Sequence, residues 1–517
     1  MTSDRLGGLT SWHADWTGLR VAVLGLSVTG FSVADTLAEL GAEVLVVTER
    51  ADEEYARLLP VIGARLWTGP LATVPSELAD FAPDVVVASP GFSPVHPLVV
   101  WARETGVALW GDVELAWRVR DKVVRADGTP ADWILITGTN GKTTTTRLTA
   151  TMLVAGGLRA APVGNIGTPV LDAIRDPAGF DALVVELSSH QLWYLGLQDS
   201  ADPVSPHAAV CLNLADDHLE WHGSAEAYRD AKAHVYDNTR VACVYNKADA
   251  ATRAMVEDAD VIEGARAIGF DLGVPGPSDV GVVDGILVDR AFLDDRRTSA
   301  LELTTVAELA ELGLSAPHMA ANVLAAAALA RSLEVSPAHV REALRGFRLD
   351  PHRIELVARH EGVAWVDDSK ATNPHAAASS LAAYPGAVWI VGGLLKGVDI
   401  SELVAGRGAQ AKAAIVIGLE REAVVTAFSR HAPGVPVFEV EATETEEVMA
   451  RVVELAAGIA RDGDVVLLAP AAASFDQFVS YADRGRRFAA AVRERIGTGA
   501  AGEHDAAADP EGPGDPA

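Results

Sequence analysis

Short runs of valine, isoleucine and leucine recur along the chain, separated by longer stretches in which apolar residues return every third or fourth position. The runs read as strands buried on both faces and the intervening stretches as helices laid over them. That alternation predicts mainly parallel α/β sheets. Strands are expected at Arg20–Leu24, at a run closing on Glu49, at 84–88, at 134–137, at 183–185 and at a run closing on Asn213. Helices are expected at 112–119, around Tyr228 to Lys232, and from the last strand through about residue 496. Residues 121–132, which include Asp127-Gly128-Thr129-Pro130, read as a linker, and the Gly-, Pro- and Asp-rich stretch 273–285 as a surface excursion. The expected domains are 1–126, 127–347 and 348–496. Residues 497–517 hold five acids, three prolines and no lysine or arginine, and read as a disordered acidic tail.

The run from Ile134 to Thr144 carries the strongest chemistry. A strand empties into Gly138-Thr139-Asn140-Gly141, and Lys142, Thr143 and Thr144 open a helix. Glycines let backbone N–H groups curl inward around a phosphate, and the helix N-terminus adds partial positive charge. Lys142 would reach the outer phosphates, and Thr143 has the hydroxyl that such loops place on magnesium. The spacing is G-x-x-G-K-T, with Ile136 where the longer Walker form has glycine. A nucleoside triphosphate is the expected ligand.

Composition narrows the classes. With 517 residues, 49% hydrophobic and 22% charged, several cored globular domains are expected. A net charge of −29 argues against general binding to nucleic acid or to an anionic membrane. Cys211 and Cys243 lie in strand-like stretches and read as buried thiols, which suits a reducing compartment. No basic-then-apolar leader is visible, and the alanine-rich run 323–330 is far shorter than the ~18 residues of a membrane span. A cytoplasmic protein without membrane insertion is expected.

Near the N-terminus, Gly25-Leu26-Ser27-Val28-Thr29-Gly30 imitates a dinucleotide fingerprint, but Ser27 replaces the glycine that admits a pyrophosphate. A nicotinamide or flavin reading is weakened; another nucleotide-diphosphate site, or a plain strand–turn–helix, stays open. The loop from Ser89 to Pro97 would lie at the same sheet edge. In the middle block, Glu186 ends a strand where a carboxylate can hold magnesium, with a helix-capping role as the alternative. Taken alone, Lys232 reads as a solvated helix lysine and His218 as an ordinary loop histidine.

The motifs together resemble the Mur ligases of peptidoglycan synthesis. They are Gly138-Thr139-Asn140-Gly141-Lys142-Thr143, Gly164-Asn165-Ile166-Gly167, Glu186-Leu187-Ser188-Ser189, Asp217-His218, Ala231-Lys232, His318 with Asn322, and His352-Arg353. Two more, Asp367-Asp368-Ser369-Lys370-Ala371-Thr372-Asn373 and Ser474-Phe475-Asp476-Gln477-Phe478, look like the branch that adds D-glutamate. The resemblance spans about residues 18–490, and no D-N-P-R run of the diaminopimelate-adding branch is present.

The resemblance implies a three-domain α/β fold: a Rossmann-like UDP-binding domain, a P-loop ATPase-like centre and a Rossmann-like third domain. It implies ATP-driven ligation of D-glutamate to UDP-N-acetylmuramoyl-L-alanine through an acyl phosphate. The catalytic residues would be Lys142, Glu186, His218 and Lys232. Two Mg²⁺ would be held by Thr143, Glu186, His218 and a carbamylated Lys232. ATP would meet Gly138 to Thr144, Asn322, Arg353 and Asp368. The UDP substrate would meet Ser27, Val28, Thr29, Thr48, Arg50, Gly91, Asn165, Ser188 and His218. Around the uracil, Val47-Thr48-Glu49-Arg50 departs from the Asp-x-Arg-like run of the family. D-glutamate would meet Lys370, Thr372, Lys396, Ser474 and Phe475, and a monomer is expected. Another amide ligase of the superfamily, or a nucleotide-binding regulator without turnover, are the competing readings.

Overall fold

The structure, a computed structural model, describes residues 2–349, 351–442 and 444–499. The chain divides into two compact units, Met1–Arg348 and Leu349–Ala517. The expected tail beyond Gly499 lies outside the described residues.

The first unit holds two sheets. In the first, β1 (Arg20–Leu24), β2 (Glu43–Thr48), β3 (Arg65–Thr68), β4 (Val85–Ala88) and β5 (Ala108–Gly111) run parallel in the order β3-β2-β1-β4-β5. All four residues of β4 are buried, as its unbroken apolar run requires of a strand covered on both faces. The order reverses at β1, so the loops after β1 and β4 flank the crevice where such sheets take ligands. Gly30 permits the close approach there, since a Cβ on it would lie 2.1 Å from the Gly25 carbonyl oxygen.

The second sheet contains β6 (Asp132–Thr137), β7 (Ala160–Gly164), β8 (Ala182–Glu186), β9 (Ala208–Cys211), β10 (Ala242–Asn246), β11 (Arg266–Phe270), β12 (Asp279–Val283), β13 (Ile286–Asp289) and β14 (Leu301–Thr305). Its order is β14-β13-β12-β11-β10-β9-β6-β8-β7, parallel except for the β12–β13 and β13–β14 pairs. The stretch expected to be a surface excursion is therefore corrected in part. Residues 279–283 join the sheet as β12, and Asp284 and Gly285, with φ of 49° and 78°, make the two-residue turn into β13. The helix Pro317–Ser332 is buried from Val323 through Ala330, and its alanines let it lie close against the helix Lys142–Ala155.

The two sheets share a hydrophobic core running from Val21 and Val44 through Trp110 and Trp117 to Trp133, Leu183 and Cys211. Trp117 and Trp133 stand edge to face across the expected linker, ring centroids 5.1 Å apart. The linker itself is tied down at its start, where Asp121 accepts from Ser11 Oγ and the Trp12 amide. Both cysteines are buried and unpaired to each other.

The second unit is a six-stranded sheet of β15 (Glu355–His360), β16 (Val363–Asp367), β17 (Val388–Gly392), β18 (Ala413–Ile417), β19 (Val437–Glu439) and β20 (Val465–Leu468). The order is β15-β16-β20-β17-β18-β19, with only β15 antiparallel to its neighbour. The closing helix, Tyr481–Gly499, packs Phe488 and Val492 into the core and runs slightly beyond the expected end.

Candidate active site

The loop after β6 is built as its sequence suggests. Gly138 and Gly141 take φ of 150° and 84°, which a side chain would resist. A Cβ at Gly141 would lie 2.6 Å from Asn322 Oδ1, so the glycine also makes room for the expected nucleotide residue. Gly141, at the N-cap of the helix Lys142–Ala155, has no side chain to cap it, and a helix N-terminus of this kind suits an anion. Lys142 Nζ donates to the carbonyls of Gly138 and Thr139 at 2.8 and 3.0 Å, holding its charge over the loop. Thr143 is half-buried beside it, and Thr144 is buried.

One residue that sequence reading passed over holds this loop. Asn213, just past β9, accepts from the Asn140 amide through Oδ1 at 2.8 Å and donates Nδ2 to the Asn140 carbonyl at 3.0 Å. Its own carbonyl accepts from the Thr139 amide at 3.0 Å. The sequence marked Asn213 only as a strand end; the pairing with a loop some seventy residues away leaves no local signal.

The reading of Lys232 as a solvated lysine is wrong. Its residue is 1% exposed, and Nζ donates to Thr137 Oγ1 at 3.2 Å and to the Gly138 carbonyl at 3.1 Å. Burial, reinforced by the charge of Lys142, pushes its pKa down to about 7, while Asp217 and Glu186 act in the opposite sense. Tyr228, one helical turn before it, lies with its ring 5.0 Å from Nζ and its hydroxyl 3.0 Å from Thr139 Oγ1. Tyr228 thus ties the lysine to the phosphate loop, and it too was missed.

Glu186 ends β8 buried. Its Oε1 accepts from Asn165 Nδ2 at 3.0 Å, and its Oε2 is buried without a hydrogen-bond partner. A buried carboxylate oxygen with no donor fits a bound cation. His218, at φ 53°, has its ring against that of His190 at 4.7 Å, with Nε2 3.7 Å from Asp217. Both His218 and Lys232 bear on His222, whose pKa is pushed down to about 4 by burial first and by electrostatic interaction with these two side chains second. Lys142, Glu186, His218 and Lys232 are therefore gathered at one edge of the second sheet. The trio of described side chains whose potential ligand atoms lie within 4.8 Å of one another is elsewhere, at His352, Glu355 and Asp367. There His352 Nδ1 is bonded to Asp367 Oδ2 at 2.7 Å, and the group works as a polar lock.

The residues expected around the UDP substrate fall into two groups. Ser27, Val28 and Thr29 open the helix after β1, Thr48 and Arg50 follow β2, and Gly91 follows β4, all at the same edge of the first sheet. Thr48 is buried and spends its hydroxyl on the Arg50 carbonyl at 2.8 Å, whereas Arg50 is exposed. Asn165 and Ser188 belong to the second sheet. Ser188 caps the helix Ser189–Leu195 in a reciprocal pairing with Gln191. That helix is fastened to the first sheet: Gln191 Nε2 donates to Asp112 Oδ2 at 2.9 Å, and Tyr194 donates to the Phe92 carbonyl at 2.7 Å. Burial raises the Asp112 carboxyl to about 6.

In the second unit, the expected amino-acid residues come from loops after three adjacent strands: Lys370 and Thr372 after β16, Ser474 and Phe475 after β20, and Lys396 after β17. Lys370 Nζ rests 3.8 Å from the Tyr481 ring centroid. Ser474 is buried, Phe475 is 66% exposed, and Lys396 is exposed with Nζ 5.8 Å from the Phe475 ring. Asp368 is buried at the root of the first loop, accepts from Ser380 and from the Ile354 amide, and is raised to about 6 by burial. Arg353, half-buried, belongs to this unit as well.

Comparison with known proteins gives three consecutive family matches. Residues 19–111 match the Mur ligase MurD-like N-terminal domain, 136–330 the Mur ligase middle domain, and 352–472 the Mur ligase glutamate ligase domain. The chain is 64% identical over 502 residues to the UDP-N-acetylmuramoylalanine–D-glutamate ligase of Leifsonia xyli, covering 96% of this chain and 97% of that one. It is 50% identical over 485 residues to the enzyme of the same description from Streptomyces coelicolor, covering 93% and 99%. Among solved structures, a pseudomurein peptide ligase type C from Methanothermus fervidus aligns with a TM-score of 0.55 at 17% identity, covering 92% and 100%. The UDP-N-acetylmuramate-alanine ligase of Thermotoga maritima aligns with a TM-score of 0.53 at 19% identity, covering 93% and 100%. At those identities the structural likeness establishes the fold.

Proposed function

The chain belongs to the Mur ligase family, and we propose that it joins D-glutamate to UDP-N-acetylmuramoyl-L-alanine, with ATP cleaved to ADP and phosphate. The observation that carries the reading is the burial of Lys232 against the phosphate loop, beside the unpartnered oxygen of Glu186. A lysine taken out of water at that point has no purpose in a scaffold, but a neutral amine there can react with CO₂. Its Nζ lone pair would add to the carbon of CO₂ and a proton would pass to solvent, leaving a carbamate anion.

Thr143, Glu186, His218 and the carbamate of Lys232 are the residues that would hold two Mg²⁺, which when bound neutralise phosphate charge. The loop Gly138 to Thr144 would bind ATP through its amides and the Lys142 ammonium, with Asn322, Arg353 and Asp368 as further nucleotide contacts. The alanyl carboxylate oxygen of the UDP substrate attacks the γ-phosphorus, the bond to ADP breaks, and an acyl phosphate results. The D-glutamate amine then attacks the acyl carbon, phosphate departs, and the amine loses a proton as the amide forms. Lys142 meets the charge that develops on the transferred phosphoryl group, which is the main work asked of such sites. Ser27, Val28, Thr29, Thr48, Arg50, Gly91, Asn165 and Ser188 would place the UDP substrate. Lys370, Thr372, Lys396, Ser474 and Phe475 would hold the two carboxylates of D-glutamate. We place the reaction in the cytoplasm, carried out by a monomer; among the described residues no helix is long and apolar enough to cross a membrane.

The test is phosphate release with each UDP-muramyl precursor against a panel of D- and L-amino acids. Turnover confined to the L-alanyl precursor with D-glutamate is expected. Release with the alanine-free precursor and L-alanine would assign another member of the family, and release independent of both substrates would remove the ligase reading.

A further inference from the structure

Arg484, in the closing helix of the second unit, is 0% exposed. Among the described residues no carboxylate hydrogen-bonds to it, Asp476 and Asp367 acting on its charge only at a distance. Its Nε donates to Ser369 Oγ at 2.9 Å, Nη2 to the carbonyls of Ser369 and Ala472 at 2.9 and 3.2 Å, and Nη1 to the carbonyls of Ala472 and Ala473 at 3.1 and 3.4 Å. All five guanidinium N–H groups thereby meet acceptors. Ser369 immediately precedes Lys370, and Ala473 immediately precedes Ser474. A third loop reaches the same point. Leu394 exchanges both backbone hydrogen bonds with Ala473, at 2.9 and 3.0 Å, two residues before Lys396, and a Cβ on Gly393 would lie 3.3 Å from Arg484 Nη1.

We infer that Arg484 is the positioning residue of the amino-acid site: its planar guanidinium fixes the separation of the loop bearing Lys370 and Thr372 from the loop bearing Ser474 and Phe475. The inference rests on the reading of those residues as the D-glutamate site. Filling the volume does not require arginine, because a methionine side chain is nearly as bulky. What the fork adds is a rigid set of donors that grips carbonyls of two loops at once. Ala471, at φ 59°, keeps a left-handed backbone just before the gripped carbonyls, so this loop has another conformation to relax into once the grip is lost. A dicarboxylate bound at two ends is sensitive to that spacing in a way that the UDP substrate, bound in the first unit, is not. The ammonium of a lysine presents three donors from a single point and cannot span both loops.

The test uses the full-length enzyme with Arg484→Lys and Arg484→Met, measuring KM for D-glutamate and for the UDP substrate together with circular dichroism. Folded Arg484→Lys should raise the KM for D-glutamate by at least about tenfold, the loss of roughly one charge-assisted contact, and leave that for the UDP substrate within about twofold. Should Arg484→Met fail to fold, Ser369→Ala supplies the second variant. It removes the Nε acceptor, together with the bond that the Ser369 hydroxyl donates to the Tyr481 carbonyl at 2.7 Å, and leaves the carbonyl contacts of both Nη atoms in place; a rise of about threefold in the D-glutamate KM is expected. A folded lysine variant with unchanged D-glutamate KM overturns the inference. So does one that lowers kcat alone or raises both KM values together, since either is the behaviour of a purely structural arginine. Failure of the unaltered enzyme to use D-glutamate would instead overturn the functional reading.

Discussion

Replacing Lys232 by alanine tests the centre of the site. An ordinary lysine, with a pKa of 10.5, is only about 0.1% neutral at pH 7.5, whereas one held at about 7 is roughly three-quarters neutral. The structure thus raises the concentration of the CO₂-reactive form by roughly two to three orders of magnitude, through burial first and Lys142 second. Losing the resulting anion should lower ligation by at least ~10²–10³, the usual effect of deleting one group aimed at developing charge. A short carboxylic acid in solution should restore part of the activity by occupying the vacated space. Phosphate release reports the rate, and the intact mass of enzyme kept in bicarbonate reports the modification. The same depressed pKa fixes a stability signature in CO₂-free buffer. Between pH about 7 and 10.5 the unfolded chain binds the proton that the folded chain lacks, so this group's contribution improves as pH rises through that window. Relative to Lys232→Met, the unaltered enzyme should gain stability steadily with pH there, by roughly 1 kcal/mol per pH unit, read from urea midpoints. An alanine variant that keeps more than about a tenth of the activity, or an active enzyme whose mass shows only unmodified lysine, refutes the argument.

Lys142→Ala should cost about 10²–10³ in kcat with circular dichroism unchanged, because the loop brings no other lysine or arginine to the phosphate; near-normal turnover would undo the assignment. Asn213→Ala removes the two hydrogen bonds between its side chain and the Asn140 backbone, and should raise the KM for ATP while lowering stability by about 1–3 kcal/mol; a variant matching the parent in both would show that the clamp is dispensable. L-glutamate, D-alanine and D-glutamine should all be poor substrates in competition with D-glutamate. The first turns its amine away when both carboxylates are held, and the others leave a buried donor unpaired, at about 1–3 kcal/mol. Equal use of L-glutamate or D-alanine in that assay would place the chain in another branch of the family.

What the sequence disclosed is local. The strand Arg20–Leu24 is found residue for residue, and β8 ends on Glu186 as expected, because a run buried on both faces has nowhere to put a polar residue. The phosphate loop was legible because its glycines, lysine and helix start are contiguous. Lys232 was illegible by itself: Tyr228-Arg229-Asp230 beside it look like a solvated helix, and its burial depends on Thr137 and Gly138, about ninety residues away. Asn213 and Arg484 escaped for the same reason, since each acts on a loop distant in sequence. The β12 strand was hidden by its composition. Its flanking glycines, proline and aspartates describe the turns, while the pairing with β11 and β13 comes from outside.

The seam between the first two sheets bears on how the polypeptide can be cut. Residues 121–132 look like a hinge on paper, yet Asp132 already belongs to β6, Trp117 and Trp133 interlock across the stretch, and Gln191 and Tyr194 reach back to Asp112 and Phe92. A protease that nicks the turn at Gly128 should therefore release nothing: the halves would remain associated until denatured, and the piece 1–126 expressed alone would present Trp110 and Trp117 to water and aggregate. Two polypeptides divided there and produced together should instead reassemble into a working whole.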